Sequence, residues 1–184
     1  MIIGLTSLLG AGKTTIGDYL VKKGFVFYSL SDVIRDEVKA KGKEITRDTL
    51  QQTGNELRKE FGSSVLADRI IEKINKEPDK DFVVDSIRNP SEVNALRKRK
   101  DFTLLFIDAP IETRFARIKS RKREGEAAIS FEEFKASEEK ELQSHDSASQ
   151  QLVQCKEMAD FVIHNDSTVE EFHKKINELL EGLK

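Results

Sequence analysis

The first fifteen residues constrain this chain more than any other stretch. Met1-Ile2-Ile3-Gly4-Leu5-Thr6 is an apolar run of strand length. Ser7-Leu8-Leu9-Gly10-Ala11-Gly12 is a glycine-rich turn, and Lys13-Thr14-Thr15 opens a helical pattern carried on by Ile16, Tyr19 and Leu20. Glycines at 10 and 12 let the backbone curl so that successive N–H groups converge on one anion, and the following helix adds the positive end of its dipole. Strand, turn and helix in this order predict a phosphate-binding loop. Its residues Gly10, Ala11, Gly12, Lys13, Thr14 and Thr15 would hold a nucleotide, Lys13 reaching the β- and γ-phosphates and the Thr14 hydroxyl taking a place on Mg²⁺. The pattern G-x-x-x-x-G-K-[ST] would place glycine at position 7, where this chain has Ser7.

Length and charge narrow what such a loop can serve. The 184 residues are read as one domain, 1–184, with room for a proper core. The formal net charge of −2 lacks the basic excess of a general nucleic-acid binder, so no nucleic-acid partner is expected. Cys155 is the only cysteine, which precludes an intramolecular disulfide, fits a reducing compartment and reads as a packing residue. No apolar run approaches the length of a membrane span, and the N-terminus enters the first strand with no basic leader, so a cytoplasmic protein without a membrane partner is expected.

Along the chain, strand signals alternate with helical ones. Phe25-Val26-Phe27-Tyr28 reads as a second strand, followed by a helix with Ser31 as N-cap and Gly42 at its end. Thr46 caps a helix with Leu50, Leu57 and Phe61 on its inner stripe and Arg58 at the edge of that stripe; Val65, Ile70, Ile71 and Ile74 mark another. Phe82-Val83-Val84-Asp85 is a buried strand ending in an acid, and Asn89-Pro90 starts the next helix. Residues 102–107 form a strand covered on both faces, and Ile111, Phe115 and Ile118 the stripe of the helix after it. Ser130-Phe131-Glu132-Glu133 has capping-box form and opens a helix towards Leu142; a polar stretch over 144–151 precedes a last strand at Phe161-Val162-Ile163. Thr168 opens a final helix with Val169, Phe172, Ile176, Leu179 and Leu183 on one face. The alternation predicts an α/β, three-layer P-loop NTPase fold with a five-stranded parallel sheet. Two insertions break it, and these are read as an acceptor-binding helical region at about 30–76 and a lid at about 119–150, both above the carboxyl ends of the strands.

With these motifs in place, nearly the whole chain resembles the nucleotide and nucleoside monophosphate kinases, the adenylate kinase-like branch of the P-loop proteins. It looks closest to adenylate kinase-related and dephospho-CoA kinase-like members, and to the kinase-like domain fused to some deoxycytidylate deaminases. The resemblance implies ATP and Mg²⁺ as cofactors and a small nucleotide as acceptor. Leu30-Ser31-Asp32-Val33-Ile34-Arg35 is similar to a Thr-Gly-Asp-x-x-Arg segment of adenylate kinases, which implies that Asp32 and Arg35 bind the acceptor and Arg35 its phosphate. Asp85-Ser86-Ile87-Arg88 is similar to Asp-Gly-x-Pro-Arg with one residue fewer; it implies water-mediated Mg²⁺ binding by Asp85 and acceptor phosphate binding by Arg88. Arg58 joins the acceptor-binding set. Arg114, Arg117, Arg121 and Arg123 form a basic cluster, with Arg117 and Arg121 on one helix face. The resemblance implies that Arg117 stacks on adenine and Arg121 stabilises the transferring phosphoryl group, with Arg123 in reserve; a well-placed arginine contributes about 10³–10⁵ in rate in such reactions. Asn165 lies in a segment similar to the loop that borders adenine in dephospho-CoA kinases.

Other constellations carry less. His145, His164 and His173 lack metal-ligand spacing with one another or with Cys155, so no zinc site is expected, and Glu132, Glu133, Glu138, Glu139 and Glu141 read as a solvated helix face. No Asn-Lys-x-Asp guanine motif stands in the expected region. The leading reading is an enzyme, a nucleotide kinase moving the γ-phosphoryl of ATP to a (deoxy)nucleoside monophosphate, as monomer or homodimer. The alternatives are a dephospho-CoA kinase, a nucleotide-binding regulator with little turnover and, against the lid-like arginines, a mechanical ATPase. Aligned on Arg35, the two acids of the dephospho-CoA kinase segment fall at Ser29 and Ser31, and neither serine can act as the base that a hydroxyl acceptor benefits from.

Overall fold

The computed structural model describes residues 1–121, 129–142 and 151–183. In chain order it runs β1 (Ile2–Ser7), α1 (Lys13–Lys22), β2 (Val26–Ser29), α2 (Leu30–Ala40), α3 (Arg47–Phe61), α4 (Val65–Ile74) and β3 (Phe82–Asp85). There follow α5 (Pro90–Leu96), β4 (Phe102–Asp108), α6 (Ile111–Ser120), α7 (Phe131–Leu142), α8 (Leu152–Glu157), β5 (Phe161–His164) and α9 (Val169–Gly182). The described strands form one five-stranded sheet, all parallel, in the order β2-β3-β1-β4-β5. The strand that feeds the glycine-rich loop is therefore central, with Gly4 opposite Val84 on one side and Leu104 on the other.

Neighbouring residues of a strand point to opposite faces, and the core divides accordingly. Ile2, Phe82, Val84 and Leu104 pack with Leu30, Leu57, Leu66, Ile70, Val93 and Cys155 from α2, α3, α4, α5 and α8. Ile3, Leu5, Val83, Leu105 and Ile107 pack with Ile16, Leu20, Phe172 and Ile176 from α1 and α9. This is a three-layer α/β sandwich, as the alternation of strands and helices predicts. Among the described residues no helix is long and apolar enough to cross a membrane.

Local chemistry sets most boundaries as expected. Thr46 and Asn89 open α3 and α5 with reciprocal capping boxes, and Ser130 and Glu133 exchange the same pair of bonds at the start of α7. Four expectations are corrected. The N-cap of α2 is Ser29 rather than Ser31: β2 passes straight into the helix, and the Ser29 side chain accepts from the Ser31 N–H. Phe61 is 54% exposed and Val169 53% exposed, because each sits at a helix end where the inner stripe turns out to solvent. The short helix α8 was not foreseen; its six residues give too little periodicity, yet Leu152 and Cys155 are buried. Parts of the expected lid, including Arg123 and His145, lie outside the described residues.

Candidate functional site

The loop between β1 and α1 is shaped by two left-handed glycines, Gly10 at φ 84° and Gly12 at φ 105°. Neither could carry a side chain: a Cβ on Gly10 would stand 2.7 Å from the Arg114 carbonyl oxygen, and one on Gly12 only 2.2 Å from Asn165 Nδ2. Position 7 makes no such demand. Ser7 ends β1 buried, its hydroxyl donating to the Leu8 carbonyl at 2.9 Å, and its φ is not positive, so the departure from glycine leaves the loop intact. The loop delivers the chain into α1 with no side-chain cap and no acid in the first turn, whereas α2, α3, α4, α5, α6, α7 and α9 each carry one there. An uncapped helix N-terminus presents unsatisfied N–H groups and positive potential, the requirements for holding an anion.

Lys13 stands at this terminus with Nζ 3.1 Å from Asp85 Oδ1 at the end of β3. Burial lowers the Lys13 pKa, the charge of Arg88 lowers it further, and Asp85 acts in the opposite sense. The other oxygen of Asp85 accepts from Ser86 Oγ at 3.0 Å, and Ser29 Oγ donates to Ser86 Oγ at 3.2 Å, so β2 and β3 are tied together at their carboxyl ends. Ser86 is the one non-glycine residue with positive φ, 66°, among the described residues. It takes the conformation that a glycine would adopt freely and turns the chain into the Arg88 loop. There the Arg88 and Asn89 N–H groups donate to Glu92 Oε2 at 2.9 and 3.1 Å. Glu92 Oε1 accepts from Arg58 Nη2 at 2.9 Å and Nε at 3.3 Å. Burial raises the Glu92 pKa, and Arg58 with the two backbone donors opposes that rise.

On the other side of the loop, Asn165 Nδ2 donates to the Ala11 carbonyl at 2.8 Å. Arg117 donates to the Asn165 carbonyl at 3.1 Å and to the Ala11 carbonyl at 3.4 Å. Burial, then the nearby charge of Arg121, lowers the Arg117 pKa. Arg114, one turn earlier on α6, is buried. It donates to the carbonyls of Ala109 at 2.9 Å and Leu9 at 3.4 Å, and grips Glu138 of α7 with both terminal nitrogens. α6 is thereby joined to the loop and to α7 at once.

A family model described as an AAA domain matches residues 3–141, from the first strand through most of α7. A UPF0200 protein of Thermococcus onnurineus is 30% identical over 188 residues, covering all of this chain and 98% of its own. The chain belongs to the AAA-domain family and to the UPF0200 proteins. A UPF0200/UPF0201 protein of Archaeoglobus fulgidus is 34% identical over 174 residues, 92% of this chain and 52% of its own, so this chain spans about half of that relative. Among solved structures, shikimate kinase from Bacteroides thetaiotaomicron aligns over 98% of both chains with a TM-score of 0.63 at 18% identity. Dephospho-CoA kinase from Campylobacter jejuni aligns over 100% of this chain and 97% of its own with a TM-score of 0.53 at 18% identity. The fold of this UPF0200 protein is thus that of the P-loop kinases.

The sequence-predicted residues fall into two groups in the structure. Lys13 and Asp85 touch, Arg88 acts electrostatically on Lys13, and Arg117 and Asn165 meet at Ala11, beside the glycine turn. Thr14 is exposed on the first turn of α1, Thr15 lies partly buried behind it, and Arg121 caps α6 with its side chain exposed. On α2, Arg35 Nη1 lies 2.5 Å from Asp32 Oδ1, a surface pair within one helix turn. Arg58 takes a different place from the one expected: its side chain is 6% exposed and its fork is committed to Glu92, so it faces the interior rather than an acceptor. Glu138 is a second correction, bound to Arg114 and 12% exposed rather than part of a solvated face. Glu92 and Arg114 carry roles that sequence reading missed. Glu92 was signalled only by its place three residues after Asn89, the capping-box spacing, while the partners of Arg114 have no local signature.

Proposed function

We propose that this protein is a phosphotransferase that moves the γ-phosphoryl group of Mg·ATP to a small phosphorylated acceptor, most specifically a (deoxy)nucleoside monophosphate. The observation that carries the reading is Lys13 set against Asp85 at an uncapped helix N-terminus behind two left-handed glycines. Lys13 and the N–H groups of residues 10–15 hold the β- and γ-phosphates, drawing Lys13 from Asp85 to the nucleotide. The oxygen donors fit Mg²⁺: the Thr14 hydroxyl is exposed on the first helical turn, and Asp85 Oδ1 is a buried carboxylate oxygen that faces the Lys13 ammonium at 3.1 Å, beside the glycine turn. Thr14 would ligate the ion and Asp85 would hold it through water, where it would offset charge on the β- and γ-phosphates. Arg117 and Asn165 border the nucleotide base, next to the loop they already hold.

Acceptor chemistry follows from the arginines. A phosphate monoester is already anionic near neutral pH, so it needs positioning and charge rather than a base to remove a proton. Arg88 and Arg35 supply planar guanidinium forks for it, Asp32 orienting Arg35 through their contact. Arg121 reaches the transferring group from the α6 end. The kinase fold of the structural neighbours supports phosphoryl transfer in general, and the monophosphate assignment rests on these side chains. Mass spectrometry of the purified protein with ATP, Mg²⁺ and a panel of nucleoside monophosphates and dephospho-CoA tests it. A diphosphate product from at least one monophosphate is expected; CoA formation with every monophosphate untouched would overturn the acceptor class.

A further inference from the structure

Glu92 lies at the N3 position of α5 and is entirely buried. Capping alone requires its carboxylate to accept one bond, from the Asn89 N–H. This carboxylate does more. Oε2 also takes the Arg88 N–H at 2.9 Å, while Oε1 receives Arg58 Nη2 and Nε from α3, 34 residues away in sequence. Arg58 enters past Gly54, one turn earlier on α3, where a Cβ would stand 3.3 Å from Nη1. On the other side of the Arg88 Cα, the Gln151 N–H at the start of α8 donates to the Arg88 carbonyl at 2.7 Å. The backbone of Arg88 is therefore held at its N–H by Glu92, which is itself bound to Arg58 of α3, and at its carbonyl by the start of α8.

We infer that Arg58 and Glu92 are a positioning pair that fixes Arg88 for the phosphate of the acceptor and links the placement of α3 to that contact. Neither side chain touches the acceptor. The inference rests on the kinase reading above, and it adds two residues whose contribution passes through Arg88. A buried guanidinium fork is suited to the task because two N–H groups on one carboxylate oxygen set the side-chain plane as well as its distance. Lysine at position 58 would keep the charge and lose that geometry.

The test is a double-mutant cycle in steady-state kinetics, with ATP as donor and the nucleoside monophosphate that the wild-type protein phosphorylates as acceptor. Arg58→Lys is expected to raise the acceptor KM about tenfold, the scale of lost orienting contacts behind a binding residue, and to leave the KM for ATP within about twofold. In an Arg88→Ala background the same substitution should add less than about twofold. A structural role predicts instead that both KM values rise together, or that the effect persists without Arg88; either result overturns the inference while the kinase reading stands. Should Arg58→Lys fail to fold, Glu92→Gln, which keeps the volume and weakens both sets of bonds, is held to the same criteria. Absence of turnover with every acceptor by the wild-type protein overturns the kinase reading and this inference together.

Discussion

Cys155 shows how a single buried group reports on its surroundings. Burial first, and then the charge of Glu92, push its thiol up to about 12. Because the folded value is raised, the stabilisation tied to the neutral thiol is fully present below the ordinary thiol range and is lost as pH climbs through it towards 12. At pH 8 the native thiolate fraction is lower than in the unfolded chain by a factor on the order of 10³. A disulfide reagent at that pH should therefore label native protein at least a hundredfold more slowly than denatured protein, and rates within tenfold of each other would contradict the burial. Gly12 makes the complementary case for backbone. Gly12→Ala is expected to cost about 1–2 kcal/mol for the left-handed conformation alone, before its Cβ meets Asn165. Urea midpoints should fall accordingly and ATP binding should be lost; an unchanged midpoint would argue against the loop geometry. Both glycines were legible in the sequence because the loop is a local structure, set within a few residues by turn chemistry. Glu92 was not, since its ion-pair partner lies 34 residues away and nothing near it announces a buried guanidinium.

At the scale of elements, the join between α6 and α7 is the feature most open to experiment. Arg114 is 4% and Glu138 12% exposed, and removing one partner leaves the other charged inside the protein. Arg114→Met is expected to destabilise the fold by about 3–5 kcal/mol, read as a lower denaturant midpoint at unchanged m-value. Combining it with Glu138→Leu should recover a large part of the loss, because no orphan charge remains. A single-variant loss under about 1 kcal/mol would mean that the pair is solvated. Sequence reading placed Glu138 among exposed acids because an acid-rich helix is normally a solvated one; the decisive contact comes from a different helix. α8 escaped notice for a related reason. Its burial comes from docking against the sheet and α5, while its own six residues hold too short a pattern to register. Elements with a side-chain cap, such as α3 with Thr46 and α5 with Asn89, were readable at their starts.

For the whole molecule, the central position of β1 explains why one loop dominates. The strand order puts the carboxyl end of β1 between those of β3 and β4, so the loop after it is flanked by Asp85 and the Arg88 segment on one side. Asn165 and Arg117 flank it on the other. Chain alternation made the parallel sheet predictable, and the handedness of parallel crossovers leaves few ways to wind it. Which arginines are buried was not predictable, because Arg35 is exposed, Arg88 half-buried, and Arg58 and Arg114 buried, although all four are the same residue type. Lys13 is the side chain on which transfer at this loop would depend most. The most direct measurement is transfer from γ-labelled ATP to the accepted monophosphate by wild-type protein and by Lys13→Ala, with circular dichroism establishing that both are folded. Removing one preorganised charge from the transferring phosphates is expected to lower kcat by about 10²–10³ or more, with the fold unchanged. A folded Lys13→Ala protein with near-normal kcat would contradict phosphoryl transfer at this site.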